Sequence, residues 1–187
     1  MSRNTEQKII DAFLNLAANE TTETAEYGTI TVQMIIEKAN ITKPTFYKHF
    51  KNIYELIDVI KARTYGPMFK ILDAHLPKNT PSPFGVIANE IIPFFYDNQV
   101  VFRIIRNSSV DFNYQQYLEN AFFPFFARFL NTKENLCGIS TDLLADYYSK
   151  VTVGILTTWL SDLFPEAPEH FKEKFLFLIN TPMNYFV

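Results

Sequence analysis

The chain has 187 residues, is 48% hydrophobic and carries a net charge of −3, with 17 Lys+Arg against 20 Asp+Glu. That length supports one large or two small domains with a real core, and that apolar content excludes a disordered chain. One cysteine, Cys137, excludes an intramolecular disulfide and a cysteine metal cluster; with no signal-peptide shape in MSRNTEQKII and no apolar run near the ~20 residues of a membrane helix, the expected location is a reducing cytoplasm.

Residues 5–19 carry the first helical pattern, with Ile9, Phe13 and Leu16 in one stripe and Ile10, Leu14 and Ala17 beside it. Residues 20–28 are polar and threonine-rich and read as a loop. The stretch 31–56, TVQMIIEKANITKPTFYKHFKNIYEL, organises the rest. Thr31 suits an N-cap, and Ile30 before it can staple onto Ile35. Ile35 and Ala39 share a face, with Ile36 alongside. Asn40 tolerates the left-handed conformation in which helices often end. The pattern then repeats: Thr42 as cap, Ile41 stapling onto Phe46, and Phe46 and Phe50 one turn apart. Pro44 falls in the first turn, where its missing N–H breaks no helical bond, but it disfavours helical angles at Lys43, which is therefore the alternative cap. Asn52 and Glu55 have capping-box spacing for a third helix.

Helix, tight turn, helix is the helix-turn-helix shape, whose second helix enters the DNA major groove. With Phe46 and Phe50 inward, Lys43, Thr45, Tyr47, Lys48 and His49 face outward, around a helix N-terminus that already favours phosphate. Within 42–63, Lys43, Lys48, Lys51, Lys61 and Arg63 oppose Glu55 and Asp58, a small positive footprint in an acidic chain. Gln33, Lys43 and Thr45 are candidates for base edges, since Gln suits adenine and Lys suits guanine. Tyr47, Lys48 and His49 suit phosphate or thymine-methyl contacts, with Pro44 in the same first turn. Thr31, Thr42 and the backbone N–H groups of Asn52 and Ile53 suit phosphate. The alternatives are packing against the first helix for Tyr47 and plain solvation for His49 and Lys51.

The run Thr31-Val32-Gln33-x-Ile35-x-x-x-Ala39-Asn40-Ile41-Thr42-Lys43-Pro44-Thr45-Phe46-Tyr47-Lys48-His49-Phe50-Lys51-Asn52 resembles the DNA-binding signature of the TetR family of bacterial transcriptional repressors. Residues 45–50 are its most specific part. The resemblance implies an all-α homodimer with N-terminal DNA-reading heads and a C-terminal body that binds a small inducer and the partner subunit. Two positions depart from the pattern. Asn40 stands where the family usually has Gly. Ile53 stands where it usually has a Lys that meets phosphate, which puts one backbone contact per subunit in doubt.

From Ile53 the apolar pattern continues through Leu56, Ile57, Ile60, Tyr65, Phe69 and Leu72 as a helix linking head to body, which Gly66-Pro67 can bend or break. Residues 77–83, PKNTPSP, form the clearest loop. Further helices are expected at 84–96, 100–107, 113–130, 141–164 and 168–179, with kinks at Pro93 and Pro124. Strand alternation is sustained nowhere. The expected fold is all-α, about nine helices, with a helix-turn-helix domain over 1–52 and a ligand-binding and dimerisation domain over 53–187.

On the last two helices, Tyr148, Val151, Gly154, Ile155 and Trp159, then Phe171, Phe175 and Leu178, are the candidate dimer interface, a four-helix bundle between subunits. The alternative is that both are core helices of one subunit. Gly154, mid-helix, costs roughly 1 kcal/mol against Ala, which a helix accepts where another helix comes close. Nineteen Phe and ten Tyr suggest a largely apolar or aromatic inducer. Candidate lining residues are Phe69, Phe95, Phe102, Arg103, Arg106, Tyr114, Tyr117, Phe122, Phe126 and Tyr147.

Enzyme chemistry fails on inventory. His49, His75 and His170 have no metal-site spacing, and five scattered glycines make no phosphate loop. No catalytic residue, metal or cofactor is expected. The sequence reads as a bacterial repressor that binds a palindromic DNA operator as a homodimer, released by an inducer. The competing reading is a ligand-sensing or partner-binding dimer whose head has lost DNA.

Overall fold

A computed structural model of the chain describes residues 2–19, 30–75, 82–107, 114–131, 138–162 and 165–181, and within them every regular element is helical. Nine helices follow in order among the described residues. They are α1 (Ser2–Asn19), α2 (Val32–Ala39), α3 (Lys43–His49), α4 (Ile53–Ala74), α5 (83–97), α6 (Gln99–Asn107), α7 (Tyr114–Leu130), α8 (Thr141–Trp159) and α9 (Pro168–Asn180). The all-α expectation holds. The expected loop at 20–28, and most of that at 77–83, lie outside the described residues.

The chain divides into two compact units, Met1–Tyr65 with Gln99–Phe112, and Gly66–Asn98 with Asn113–Val187. This differs from a division at 52/53: the boundary falls inside α4, and α6 belongs with the N-terminal helices. In the first unit α1 packs on α2 and α6. Ile9, Phe13 and Ala17 of α1, Ile35 of α2, Phe46 of α3 and Leu56 of α4 are closed off from solvent. Arg63 ties α4 to α1, donating through Nη1 to Gln7 Oε1 at 3.0 Å and through Nη2 to the Glu6 carboxylate.

α4 runs unbroken through Pro67. A proline inside a helix normally disfavours helical angles at the preceding residue, because its Cδ crowds that residue's Cβ. That residue is Gly66, which has no Cβ, and apart from its chain neighbours and the helix's own backbone an added Cβ there would meet nothing within 4 Å. The glycine thus answers the proline behind it, not a neighbouring side chain.

In the second unit α7 and α8 pack most extensively, and α9 lies on α5 and α8. Pro93 does not break α5. Instead the chain widens into a π turn over Ile87–Ile91, with the Ile92 N–H reaching the Ile87 carbonyl. A proline has no N–H to give and its ring clashes with the carbonyl four residues back; a wider turn relieves that clash. Arg128 of α7 holds the last turn of α4, donating to the Leu72 carbonyl at 2.7 Å and to Asp73 at 3.0 Å.

α8 ends at Trp159, short of the expected 164. Ser161 turns both its N–H and its hydroxyl onto the Thr158 carbonyl, and the Trp159 indole N–H donates to the Glu166 carbonyl at 3.0 Å. The chain therefore folds back before α9. The Trp159 ring stacks on Phe171 at 4.2 Å and 5°, and Tyr96 lies on it at 6.1 Å. Trp159 and Phe171, two of the candidate dimer residues, are buried against each other within one subunit, and Phe175 is 0% exposed.

Candidate nucleic-acid interface

The helix-turn-helix is set by its caps. Thr31 Oγ1 accepts the Met34 N–H at 3.3 Å, and Thr42 Oγ1 accepts the Thr45 N–H at 3.4 Å. Both N-caps have extended backbone, as a side-chain cap requires. Thr42 is the cap, not Lys43, so Lys43 opens α3 and Pro44 follows it. Asn40 ends α2 at φ 51° and ψ 55°, the only positive φ at a non-glycine residue among those described. Its N–H and that of Ile41 bond back to the Glu37 and Ile36 carbonyls. Asn is therefore sufficient for a turn that usually takes Gly, at modest strain.

α3 is held from beneath. Phe46 and Phe50 are buried, their ring centroids 6.0 Å apart. Above them Tyr47 is 48% exposed, its ring edge-on to Phe46 at 5.5 Å. Lys43, Pro44, Lys48, Thr31, Gln33, Thr42 and Asn52 are exposed; Thr45 and His49 are half-buried. Tyr47 thus lies outside the subunit core. The ten sequence-chosen residues fall on α2, α3, their caps and the start of α4, all in the first unit.

Several of these side chains already have partners. The Thr45 hydroxyl lies 2.8 Å from that of Thr42. Gln33 Nε2 donates to Glu37 at 2.7 Å. Asn52 Oδ1 accepts the Glu55 N–H at 2.9 Å, while the Glu55 carboxylate accepts the Lys51 N–H at 2.6 Å, one residue before the position a capping box would use. Ile53 is the half-buried first residue of α4. The charge footprint is smaller than the sequence count. Arg63 is spent on Glu6, and Lys61 lies 3.9 Å from Asp58. Lys43, Lys48 and Lys51 are the cations that remain of the five counted within 42–63.

The candidate inducer-lining residues are divided between the two units. Phe102, Arg103 and Arg106 belong to the first unit, where Phe102 meets Tyr65 at 6.3 Å. Phe69, Phe95, Tyr114, Tyr117, Phe122, Phe126 and Tyr147 belong to the second. Phe95, Phe122 and Phe126 are core: Phe126 contacts Phe84, Phe122, Phe125 and Tyr148. Tyr114 is buried, and Phe69 is half-buried against Tyr117 at 6.2 Å. Tyr117 and Tyr147 are exposed. The aromatic excess is consumed largely by ring-on-ring packing. Sequence reading missed a buried hydroxyl on α8, Thr152 Oγ1, which has no hydrogen-bond partner. A threonine on an apolar stripe was the available signal.

Comparison with known proteins bears on both units. Residues 16–60 match the family model described as bacterial regulatory proteins, tetR family. Residues 86–181, just over half of the chain, match the model described as transcriptional regulator C-terminal region. No curated protein matches the chain. Among solved structures, a transcriptional regulator of the TerR/AcrR family from Aquifex aeolicus VF5 is 23% identical, with a TM-score of 0.72 over 94% of this chain and 99% of that one. The dihydroxyacetone kinase operon activator DhaS is 16% identical, with a TM-score of 0.63 over 94% and 93%. A TetR transcriptional regulator from Streptococcus agalactiae 2603V is 20% identical, with a TM-score of 0.57 over 96% of each chain.

Proposed function

The chain belongs to the TetR family of bacterial transcriptional regulators, and from that premise we propose that it binds a palindromic operator as a homodimer through the outer face of α3. The observation that carries this reading is Tyr47, exposed with Lys43 and Lys48 above a floor of buried Phe46 and Phe50. The Tyr47 ring is left about half in solvent on the outer side of a seven-residue helix, between two exposed lysines. Gln33, Lys43 and Thr45 read base edges. Tyr47, Lys48, His49, Thr31, Thr42 and Asn52 hold the backbone.

Two heads must be ~34–36 Å apart, or a multiple of that, to meet successive half-sites. The dimer surface we assign is the open side of α8 and α9. Leu143, Tyr147, Val151 and Gly154 share one side of α8, and Leu143 and Tyr147 are 60% and 55% exposed. Phe177 and Leu178 of α9 are about half exposed. An added Cβ at Gly154 meets nothing within 4 Å, so no described helix of the same subunit accounts for that glycine, whereas a close partner helix would. Of the sequence choices, Val151, Gly154, Ile155 and Leu178 remain in this surface; Tyr148 is half-buried against Phe84 and Phe126. A small apolar or aromatic effector acting on the body would release the heads by favouring a spacing that fits one half-site only. The protein would work in the cytoplasm, where its DNA is.

A duplex carrying the DNA upstream of its own gene tests the reading. The wild type is expected to shift it, with affinity falling steeply as salt rises. Tyr47→Ala with His49→Ala is expected to abolish the shift while thermal melting stays unchanged. No shift even at low salt favours the competing reading that Ile53 supports, a dimer whose head has lost DNA. The sign of regulation is read by transcription from the same promoter. Repression is our expectation, and the fold-level likeness to a protein named an operon activator makes activation the other outcome to score.

A further inference from the structure

α2 carries one carboxylate, Glu37, exposed on the helix whose first turn holds Gln33. An acid beside a surface that meets phosphate weakens binding by repulsion, so its presence needs a role. Glu37 Oε1 takes a proton of the Gln33 amide, with Nε2 at 2.7 Å. A glutamine amide can be turned over at little steric cost, which exchanges its donor and its acceptor. A carboxylate only accepts. It therefore selects the orientation with NH2 toward Glu37 and the carbonyl oxygen on the opposite side.

We propose that Glu37 is a positioning residue for operator specificity. It fixes the Gln33 amide so that its carbonyl oxygen leads into the groove and selects a base-edge donor. Adenine fits best, because N6–H meets the carbonyl oxygen and the second amide N–H meets N7; guanine and thymine offer acceptors where the oxygen points. The cost in affinity is exchanged for discrimination at one base pair per half-site. The inference rests on the DNA-reading function proposed above. The fold of the turn does not depend on the Glu37 side chain: its backbone carbonyl, not its carboxylate, accepts the Asn40 N–H at 3.2 Å.

The test is selection from a random-sequence DNA duplex pool at fixed salt by four proteins: wild type, Glu37→Ala, Glu37→Gln and Gln33→Ala. The wild type is expected to enrich a palindrome with adenine at one position of each half-site. Glu37→Ala should lose that preference about tenfold, within what a bidentate base contact gives, with every other position intact and total affinity for the pool unchanged or higher. Gln33→Ala should lose the same position. Glu37→Gln, whose amide donates as well as accepts and so fixes neither orientation of Gln33, should lose most of the preference as well. Full preference in Glu37→Ala, or loss spread evenly over all positions, overturns the role of Glu37 and leaves the DNA reading standing. A wild type that enriches no sequence overturns both.

Discussion

The head and the second unit solve the same packing problem by opposite means. Around α2 and α3 order comes from short-range devices: two threonine caps, one left-handed Asn40, and two phenylalanines a turn apart. The outer face is then free to be polar. In the second unit order comes from rings meeting rings across helices, Phe84 with Phe126 and Tyr148, and Trp159 with Phe171. A segment that must present the same few side chains to a rigid duplex gains from local definition. A body of long helices gains from contacts that only the assembled fold provides.

The largest expected effects test whether the two regions stand separately. Phe46 and Phe175 are each 0% exposed, and truncating either to Ala should cost about 3–5 kcal/mol. The single Trp, Trp159, lies in the second unit, so its fluorescence reports that unit alone. Phe46→Ala should abolish operator binding and leave the Trp159 unfolding midpoint in denaturant nearly unchanged. Phe175→Ala should lower it. Equal shifts by both variants would make the molecule one cooperative unit and end the comparison.

How much could be read in advance follows the same line. The caps at Thr31 and Thr42, the αL residue Asn40, and the inward Phe46 and Phe50 are written within a few residues of their consequences. So were the exposed Lys43, Tyr47 and Lys48. Trp159 and Phe171 gave a correct helical stripe, but a stripe does not say which chain covers it. The intrahelical pattern is equally satisfied by a core and by a partner. Leu143, the most exposed large apolar side chain described, lies one turn before Tyr147 on the open side and was missed for that reason. The π turn was legible only as a kink at Pro93, because the widened hydrogen bonding is one of several ways a helix absorbs a proline.

Buried hydroxyls on α8 give a second, smaller contrast. Ser149 Oγ donates to the Ala145 carbonyl at 2.6 Å, whereas Thr152 Oγ1 is buried with no partner. Thr152→Val keeps the shape and removes an unpaired polar atom, so it should stabilise by about 1 kcal/mol. Ser149→Ala should destabilise by a similar amount. Destabilisation by Thr152→Val in chemical denaturation would show that the hydroxyl has a partner in solution. In the head, Thr42→Ala removes the cap of α3 and should cost about 1 kcal/mol, with the Trp159 transition again unmoved.

The smallest expected change is the most diagnostic for assembly. Gly66 and Gly154 both lie within helices with open space where a Cβ would point, yet Ala should act in opposite directions. At Gly66 the new Cβ meets the ring of Pro67 along the chain, so α4 is destabilised. At Gly154 an isolated subunit should gain up to about 1 kcal/mol of helix propensity. If α8 of a second subunit lies close to that backbone, the added methyl holds the two helices apart instead. Gly154→Ala should then raise the stability of the dilute monomer and weaken self-association in sedimentation velocity, together with operator affinity. A gain in monomer stability with association unchanged would place the dimer contact elsewhere than the side of α8 that carries Leu143 and Tyr147.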